Sequence, residues 1–321
     1  MSRSGMAARI AAFVLLSFAH PLFPSLPAAA GPAEQVPAGQ IRLWFGGDVH
    51  FGNTAQDPLL LLRPVTNEDL GVINLEGPVH EPADTVYGNK ALRLFNAPQT
   101  VDYLATLNVK VATVANNHQD DAGREGKNTT DEALRRAGVL PAGGSGSSVV
   151  YRAGKYRLVF AAYVLSGPLP ADLAEELVQL RRAGDILIVL FHVSGNPGYL
   201  PDARLKKAVE IALRAQASIV VSHGSHDVGP VERRDGAVIA WGLGNLAFNC
   251  RCTDEREAVI LAVTVDPARK ERPIASSCVI PIDAGMQGQA STPARDAAAT
   301  FDLLEAIGSS RLSRQRDRAC F

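Results

Sequence analysis

The chain has 321 residues, of which 46% are hydrophobic and 20% are charged, and this suits one large α/β domain or two small ones. Its 28 glycines and 20 prolines are spread along the chain, which excludes collagen-like, coiled-coil and wholly disordered proteins. The formal net charge is -1 and the aromatic content is 6%, so neither a general basic field nor a stacking surface indicates a nucleic-acid partner.

The N-terminal residues have the organisation of a secretory signal peptide. Two arginines precede an apolar run at 10–19, and a small-residue stretch follows at 28–31. The run is about half of the roughly 20 residues that span a bilayer, so an N-terminal membrane anchor is the less favoured alternative. We expect a signal peptide at 1–30, a linker at 31–40 and an extracytoplasmic protein, periplasmic or secreted.

Short apolar runs predict strands that alternate with amphipathic helices. In chain order, the predicted strands are 41–45, 71–75, 109–114, 156–163, 186–191, 218–221 and 237–241. The predicted helices are 98–107, 133–137, 201–215 and 296–307. Residues 128–132 predict the N-terminal cap of the second helix, and Gly138 predicts its end. The alternation predicts an α/β fold, with strands that become antiparallel from Ala237 onward.

Polar residues fall at or just after the ends of these predicted strands. They are Asp48, His50, Glu76, Asn117, His118, His192, His223 and His226. The loops at the carboxyl ends of parallel strands gather at one edge of a sheet, so one edge can hold all of them. Taken singly, each residue has a plainer explanation as a turn, a cap or a core histidine. Together they predict a metal centre, because carboxylate and imidazole ligands suit Zn, Mn or Fe.

Two pairs within this set have spacings of their own. Asp48 and His50 alternate by two along an extended segment, so they are expected to face the same way and to bind one metal. Asn117 offers an amide oxygen beside His118. His20 and His80 are assigned no role in the site, and serine catalysis is not supported because no Gly-x-Ser-x-Gly segment is present.

Four cysteines favour disulfides in an oxidising compartment, and three pairings are open. They are Cys250, Cys252, Cys278 and Cys320. The preferred interpretation is disulfides that tie the C-terminal strand and tail. A thiolate metal site at Cys250 and Cys252 is less favoured, because zinc sites usually use a Cys-x-x-Cys pair together with a second pair.

Several segments, taken in order, resemble the CapA family of poly-γ-glutamate capsule synthesis proteins. They are Gly47-Asp48-Val49, Asn74-Leu75-Glu76, Ala115-Asn116-Asn117-His118, His192, His223-Gly224-Ser225-His226 and Gly242-Leu243-Gly244-Asn245. The family is itself similar to the calcineurin-like metallophosphoesterases. The resemblance predicts a CapA-like domain over 41–265, with 266–321 as a C-terminal strand and helix extension that packs on the same domain.

The resemblance implies a four-layer α/β/β/α sandwich in which two mixed β-sheets are flanked by helices. It also implies two divalent metal ions, Mn, Zn or Fe, that activate a water as the nucleophile. Asp48, His50 and His226 would hold one ion, Asn117, His192 and His223 the other, with Glu76 as the bridging or a nearby acid. His118 would protonate a leaving group or stabilise developing charge, oriented by Asp121.

The sequence also departs from the family pattern. His50 occupies a position that is often Met in CapA-like proteins, and it restores the Asp-x-His of metallophosphoesterases. The usual His-Trp-Gly-Glu is replaced by His192-Val193-Ser194-Gly195. The usual His-His-Pro-His is likewise reduced to His223-Gly224-Ser225-His226, so a different substrate pocket is expected.

Two functions follow as expectations. The first is a metal-dependent hydrolase of capsule or poly-γ-glutamate biosynthesis or export, acting on a phosphoester or on an amide-linked anionic polymer. The alternative is a non-catalytic accessory protein that works with the capsule synthesis or export machinery and guides the polymer. Its cationic groove would use Arg181-Arg182, Arg204 with Lys206-Lys207, and Arg233-Arg234.

Overall fold

The computed structural model describes residues 39–66, 69–80, 91–194 and 198–321. The predicted signal peptide and all but the last two residues of the predicted linker lie outside the described residues, so both stay predictions. Among the described residues, no helix combines the length and the hydropathy needed to cross a membrane.

Strands and helices alternate through the first two thirds of the chain. The strands are β1 (Ile41–His50), β2 (Leu70–Leu75), β3 (Val109–Thr113), β4 (Leu140–Ala142), β5 (Ser148–Ala153), β6 (Tyr156–Leu165), β7 (Ile186–Val193), β8 (Ile219–His223), β9 (Val231–Arg234), β10 (Ala237–Ala240), β11 (Asn245–Phe248), β12 (Glu257–Val265), β13 (Ile274–Asp283), β14 (Gly285–Met286), β15 (Thr292–Pro293), β16 (Ser313–Arg314) and β17 (Ala319–Cys320). The helices are α1 (Arg63–Thr66), α2 (Thr100–Thr106), α3 (Gly123–Arg136), α4 (Leu173–Leu180), α5 (Ala203–Arg214) and α6 (Ala297–Ala306), with a 3₁₀ turn at Leu60–Leu62.

The strands form two mixed sheets. The first has eleven strands, with the main order β16-β17-β13-β12-β1-β2-β3-β4, and β11 pairs with the carboxyl half of β1. The second has six strands in the order β5-β6-β7-β8-β10-β9. Strands β1 to β4 run parallel in the first sheet, as do β6, β7, β8 and β10 in the second. Each sheet therefore has a set of parallel strands whose carboxyl ends share one edge.

Side-chain alternation along the strands separates three apolar layers. Phe45 of β1 packs between the sheets in one cluster with Phe160 and Leu190 of the second sheet. Its neighbour Trp44 faces the other way, into a cluster with residues of α2 and α3. On the far side of the second sheet, Leu187 packs with residues of α4 and α5. The result is the predicted four-layer α/β/β/α sandwich, and because each sheet is covered on both faces, strands such as Ile186–Val193 are apolar throughout.

The predicted entry of α3 is wrong. The helix begins at Gly123, so residues 128–132 lie inside it. Thr129 and Thr130 do not cap a helix end, because both hydroxyls donate to the carbonyl of Gly126. The hydroxyl of Thr130 also accepts a hydrogen bond from the N–H of Val79 at 2.8 Å, which ties α3 to the segment after β2. Side-chain bonds of this kind look like caps in a sequence.

The expected antiparallel pattern after Ala237 is only partly correct. Strands β12 and β13 are antiparallel over their whole length, as expected. Strand β10 is parallel to β8, and β11 is parallel to β1. These two strands extend the parallel parts of the sheets, which brings Asn245 of β11 beside Asp48 of β1.

The cysteines form two disulfides, Cys250–Cys252 and Cys278–Cys320. The second joins β13 to β17, as the preferred interpretation predicted for the C-terminal strand and tail. It spans 42 positions of sequence, and closing a loop of that size stabilises the fold by about 4 kcal/mol in the chain-entropy model. The domain boundaries at 40 and 265 stay predictions, although β13 pairs with β12 across the second of them.

Candidate metal centre

Two rows of polar side chains meet where the carboxyl ends of the two sheets come together. In the first sheet, Asn245, Asp48 and Asn74 are register neighbours on three adjacent parallel strands. In the second sheet, His192 of β7 is paired with His223 of β8. Because residues in register on adjacent strands share a face of the sheet, each row presents its side chains together. All five residues are buried, so the rows form an internal polar site.

Asp48 has four partners within this site. The N–H of Gly224 donates to its Oδ2 at 3.0 Å, and the amide of Asn74 donates to its Oδ1 at 2.7 Å. The Nδ1 atoms of His226 and His223 lie 3.3 Å and 3.7 Å from its two oxygens. Burial raises the pKa of Asp48, but the hydrogen bond and charge of His226 outweigh burial and hold that pKa below its usual range. Asp48 is therefore an ionised carboxylate.

Asp48, Glu76 and His226 form a compact ligand cluster, because one ligand atom from each lies within 4.8 Å of the others. Burial and the charge of Asp48 raise the pKa of Glu76 to about 8. Burial lowers the pKa of His226, but the hydrogen bond and charge of Asp48 raise it overall to about 9. Two buried carboxylates this close repel one another, and a divalent cation relieves that repulsion.

The backbone of His226 is strained, with a φ of 63° in the left-handed region. A residue other than glycine rarely adopts this conformation, and such strain concentrates at functional sites. The ring is held in place because Nδ1 lies 2.9 Å from the side-chain oxygen of Asn245.

A second group of ligand types lies beside the first. Nε2 of His192 is 2.7 Å from Oδ1 of Asn117, and Nδ1 of His192 is 3.9 Å from Oε1 of Glu76. Burial lowers the pKa of His192 to about 3, and it also lowers the pKa of His223. Both rings are therefore neutral, which is the form of imidazole that binds metals.

His223 provides the test of whether these residues fit a metal ion. The side chain is 3% exposed, and neither ring nitrogen has a hydrogen-bond partner among the described residues. Buried polar atoms are almost always paired, because leaving one unpaired costs about 1–3 kcal/mol. A divalent cation bound by His223 would remove this cost, so the donor set fits a metal.

His118 and Asp121 form a separate pair next to the ligands. Nδ1 of His118 donates to Oδ2 of Asp121 at 2.6 Å, and the N–H of Leu94 donates to the same oxygen at 2.8 Å. The carboxylate is 1% exposed and fixes the ring through Nδ1. This leaves Nε2 as the nitrogen that exchanges a proton, which is the arrangement of an oriented acid or base.

The structure places His50 apart from the cluster around Asp48. Its Nε2 is 3.2 Å from the carbonyl oxygen of Phe95, and its ring centroid is 5.4 Å from that of Phe248. Burial lowers its pKa to about 4. The pairing of β1 with β11 shifts register between Asp48 and Val49, so the simple alternation behind the sequence argument is broken there. The assignment of His50 as a ligand stays a prediction.

The sequence reasoning gave no role to three buried amides that organise the site. Asn74 and Asn245 contact the candidate ligands directly. The side-chain amide of Asn96 donates to the carbonyls of Glu76 and Gly77 and accepts from the N–H of Phe51. The available signal was an asparagine at the end of an apolar strand, where a turn is the commoner explanation.

Residues 42–250 match the family model described as bacterial capsule synthesis protein PGA_cap. The chain belongs to this family. The CapA resemblance seen in the sequence is thereby confirmed.

Two curated relatives carry related names. The PGA biosynthesis protein CapA of Bacillus subtilis is 25% identical over 210 residues, which are 59% of this chain and 55% of that protein. A polyglutamine synthesis accessory protein of Mycobacterium tuberculosis is 25% identical over 214 residues, which are 56% of each chain. The chain thus spans about half the length of the curated relatives that it matches.

A solved structure supports the fold assignment for this PGA_cap family member. The crystal structure of a phosphatase from Mycoplasma pneumoniae superposes with a TM-score of 0.51 and 16% sequence identity, covering 76% of this chain and 94% of that chain. At this identity the likeness concerns the fold alone. The predicted four-layer α/β/β/α sandwich is confirmed.

Proposed function

We propose that this member of the PGA_cap family is an extracytoplasmic metal-dependent hydrolase of capsule or poly-γ-glutamate biosynthesis or export. Its substrate would be a phosphoester or the amide of an anionic polymer. One observation carries the proposal: His223 is buried without a hydrogen-bond partner among the described residues, directly beside the ionised Asp48. A metal centre would account for both the unpaired ring of His223 and the buried charge of Asp48. The names of the relatives support a role with poly-γ-glutamate or a similar polymer.

Two groups of residues would hold the metal ions. Asp48, Glu76 and His226 would bind one ion, and Asn117, His192 and His223 the other, with Glu76 between them. The mixed oxygen and nitrogen donors suit Mn, Zn or Fe. When bound, the metals supply positive charge for the transition state and a water of lowered pKa. His50 would join the first group through Nδ1, which is buried without a hydrogen-bond partner among the described residues, while Nε2 contacts Phe95.

The chain's own residues have separate tasks in this proposal. The protonated His118 gives the proton on its Nε2 to the leaving oxygen or nitrogen while Asp121 holds Nδ1. Gly224 keeps the carboxylate of Asp48 in place through its N–H. Burial of the two rows excludes bulk water, which strengthens every charge interaction within the site.

The direct test is an assay of the purified protein with added Mn²⁺ or Zn²⁺. Bis(p-nitrophenyl) phosphate and poly-γ-glutamate serve as the two substrates, and elemental analysis measures bound metal. We expect a bound metal and turnover of one substrate, both lost in an Asp48→Ala, His118→Ala double variant. Absence of metal together with inactivity on both substrates would refute the hydrolase.

The second candidate is the non-catalytic accessory role, and the M. tuberculosis relative, named a polyglutamine synthesis accessory protein, favours it. The cationic groove expected for this role has less support. Arg234 is paired with Glu210 and Glu232, Arg204 with Asp202, and the guanidinium of Arg181 donates to Gln216. In a deletion strain of the host, full complementation by the double variant would favour the accessory role over the hydrolase.

The extracytoplasmic location is also part of the proposal. All four cysteines are paired in disulfides, which persist in oxidising compartments. A fusion of residues 1–40 to a reporter enzyme that is active only outside the cytoplasm tests it, and cleavage of the leader separates a signal peptide from the alternative membrane anchor.

A further inference from the structure

Asn74 is a fully buried amide at the centre of the candidate site, with an exposed fraction of 0%. It lies near the end of β2, between Asp48 of β1 and Thr113 of β3 in the sheet register. No charged or nucleophilic chemistry belongs to this side chain. Its importance comes from the groups that surround it.

Three candidate ligands surround the amide nitrogen of Asn74. Nδ2 lies 2.7 Å from Oδ1 of Asp48, 3.3 Å from Oε1 of Glu76 and 3.3 Å from Nδ1 of His192. The first two acceptors belong to the first sheet, and the third belongs to the second. A single side chain therefore connects the two carboxylates to each other and to the histidine across the gap between the sheets.

A neighbouring amide fixes the orientation of Asn74. Nδ2 of Asn116 donates to Oδ1 of Asn74 at 3.2 Å and also to the carbonyl of Leu75 at 2.7 Å. Because Oδ1 is the acceptor in this contact, the NH₂ group of Asn74 must face the ligands. That group has two hydrogens, and the shortest of its three contacts, at 2.7 Å, gives one of them to Oδ1 of Asp48.

We propose that Asn74 is a positioning residue of the centre, which sets the separation of the Asp48 and Glu76 carboxylates for a divalent cation. The inference rests on the proposed function, because it takes these two residues as ligands. Side chains that hydrogen-bond to ligands orient them and tune the metal. A neutral donor suits this place, because it satisfies both carboxylates without displacing the cation or adding negative charge.

The test compares Asn74→Ala with the control Ser277→Ala. Both residues are buried and polar, but the hydroxyl of Ser277 donates to the carbonyl of Phe321, which is not a candidate ligand. The affinity for Mn²⁺ alone is measured by isothermal titration calorimetry at matched folded fractions. We expect Asn74→Ala to weaken Mn²⁺ binding about 10–100-fold, and Ser277→Ala to leave the affinity of the folded protein unchanged.

A second measurement does not require metal. Crystal structures of the metal-free wild type and of metal-free Asn74→Ala give the separation of the Asp48 and Glu76 carboxylates. We expect this separation to change in the variant, because the donor that contacts both carboxylates is missing. Should that variant not fold, Asn74→Ser supports the same two measurements, because its hydroxyl is too short to span both carboxylates.

The outcomes distinguish the two ideas. A wild-type protein that binds no Mn²⁺, together with a changed carboxylate separation in Asn74→Ala, contradicts the proposed function, and the positioning of Asp48 and Glu76 by Asn74 stands. A wild type that binds Mn²⁺ with an affinity unaffected by Asn74→Ala, or weakened equally by Ser277→Ala, overturns the positioning role. An unchanged separation of the two carboxylates in the variant overturns it as well.

Discussion

The two sheets contribute different chemistry to the same site. The first sheet supplies oxygen ligands and amides, with Asp48 on β1, Asn74 on β2 and Glu76 directly after β2. The second supplies imidazoles, with His192 on β7 and His223 on β8. A cluster of carboxylates alone favours Mg²⁺ or Ca²⁺, whereas the mixture of oxygen and imidazole nitrogen suits transition metals. The centre therefore exists only when the two sheets are packed together.

The charges of the two sheets are also complementary. Asp48 on the first sheet raises the pKa of His226, which follows the second sheet, and His226 in turn holds the pKa of Asp48 down. In contrast, His192 and His223 are kept neutral by burial. The second sheet thus presents one cationic ring and two neutral ones to the acids of the first.

The largest expected effect comes from removing the acid that joins the sheets. Asp48→Asn keeps the shape of the side chain but abolishes the charge that His226, His223 and Gly224 face. We expect no detectable bound metal, and a fall in activity of at least about 10³-fold, since metal charge is worth several kcal/mol in a transition state. Elemental analysis and the diesterase assay measure both effects.

The matched control for this change is Asp57→Asn. Its carboxylate accepts hydrogen bonds from the N–H of Leu59 and the hydroxyl of Thr106, on the outer side of the first sheet. This variant should keep its metal and its activity. Retention of metal by Asp48→Asn would show that the first sheet does not supply an essential ligand.

The next largest effect is expected at His118, and it tests proton donation separately from metal binding. His118→Ala should lower kcat by about 10²–10⁴-fold with an alkyl phosphoester, whose leaving group needs a proton. With a nitrophenyl ester the fall should be much smaller, because that leaving group departs without one. Bound metal should be unchanged. Asp121→Asn, which keeps the ring of His118 but alters its orientation, should give a smaller loss in the same direction.

Equal losses on both esters would argue against proton donation by His118. In that case the ring would act in binding, and KM rather than kcat would change. The comparison of esters therefore decides the role of His118 independently of the metals.

Much of this arrangement could be predicted from the sequence, because strand ends are easy to recognise. Apolar runs such as Ile186–Val193 locate the strands, and the polar residue at each end then lies at a known edge of the sheet. This argument predicts Asp48, Glu76, His192, His223 and His226 as candidate ligands, and the structure brings them to one site. The sequence could not show which of them pair, since pairing depends on how the two sheets face each other.

The features missed by sequence reasoning share a physical cause. Most hydrogen bonds of Asn74 and Asn96 reach residues 19 to 118 positions away, which no local pattern reveals. The sequence likewise could not show the register shift in β1 or the contact of His50 with the carbonyl of Phe95, 45 positions away. Local spacing predicts a side chain's direction only where the strand is regular.

The free energy of unfolding of the metal-free protein at acid pH tests His50, the buried imidazole on β1 of the first sheet. The pKa of His50 is about 4 in the folded protein, against an ordinary value of 6.5. As the pH falls from 6.5 to 4, the unfolded chain takes up this proton and the folded chain does not, so stability is lost in that window and is unaffected above it. The shift corresponds to about 3 kcal/mol.

His50→Met removes the group that takes up this proton. The free energy of unfolding of the variant should therefore depend less on pH between 7 and 4. Urea denaturation in the presence of EDTA, at pH 7 and pH 4, gives the free energy of unfolding for both proteins. We expect the wild type to lose about 3 kcal/mol more than the variant between these two values. Parallel losses would mean that His50 is protonated inside the fold, and that burial does not hold it neutral.

The smallest effect concerns the contact between the sheets at Gly224. This residue has a φ of 89°, its N–H donates to Asp48, and an added Cβ would lie 2.7 Å from Cε1 and Nε2 of His192. Gly224→Ala should cost roughly 1–2 kcal/mol of stability from backbone strain alone. It should also weaken Mn²⁺ binding, because the methyl group must displace His192 or move Gly224 away from Asp48.

Gly154→Ala is the control, because Gly154 also has a positive φ, 58°, yet nothing lies within 4 Å of an added Cβ. Both variants carry the backbone cost, and only Gly224→Ala disturbs the junction of the sheets. Thermal denaturation and Mn²⁺ titration of the pair therefore separate strain from metal binding. If both bind Mn²⁺ like the wild type, the ligands of the second sheet do not depend on close approach to the first, and the centre tolerates more separation than the packed rows indicate.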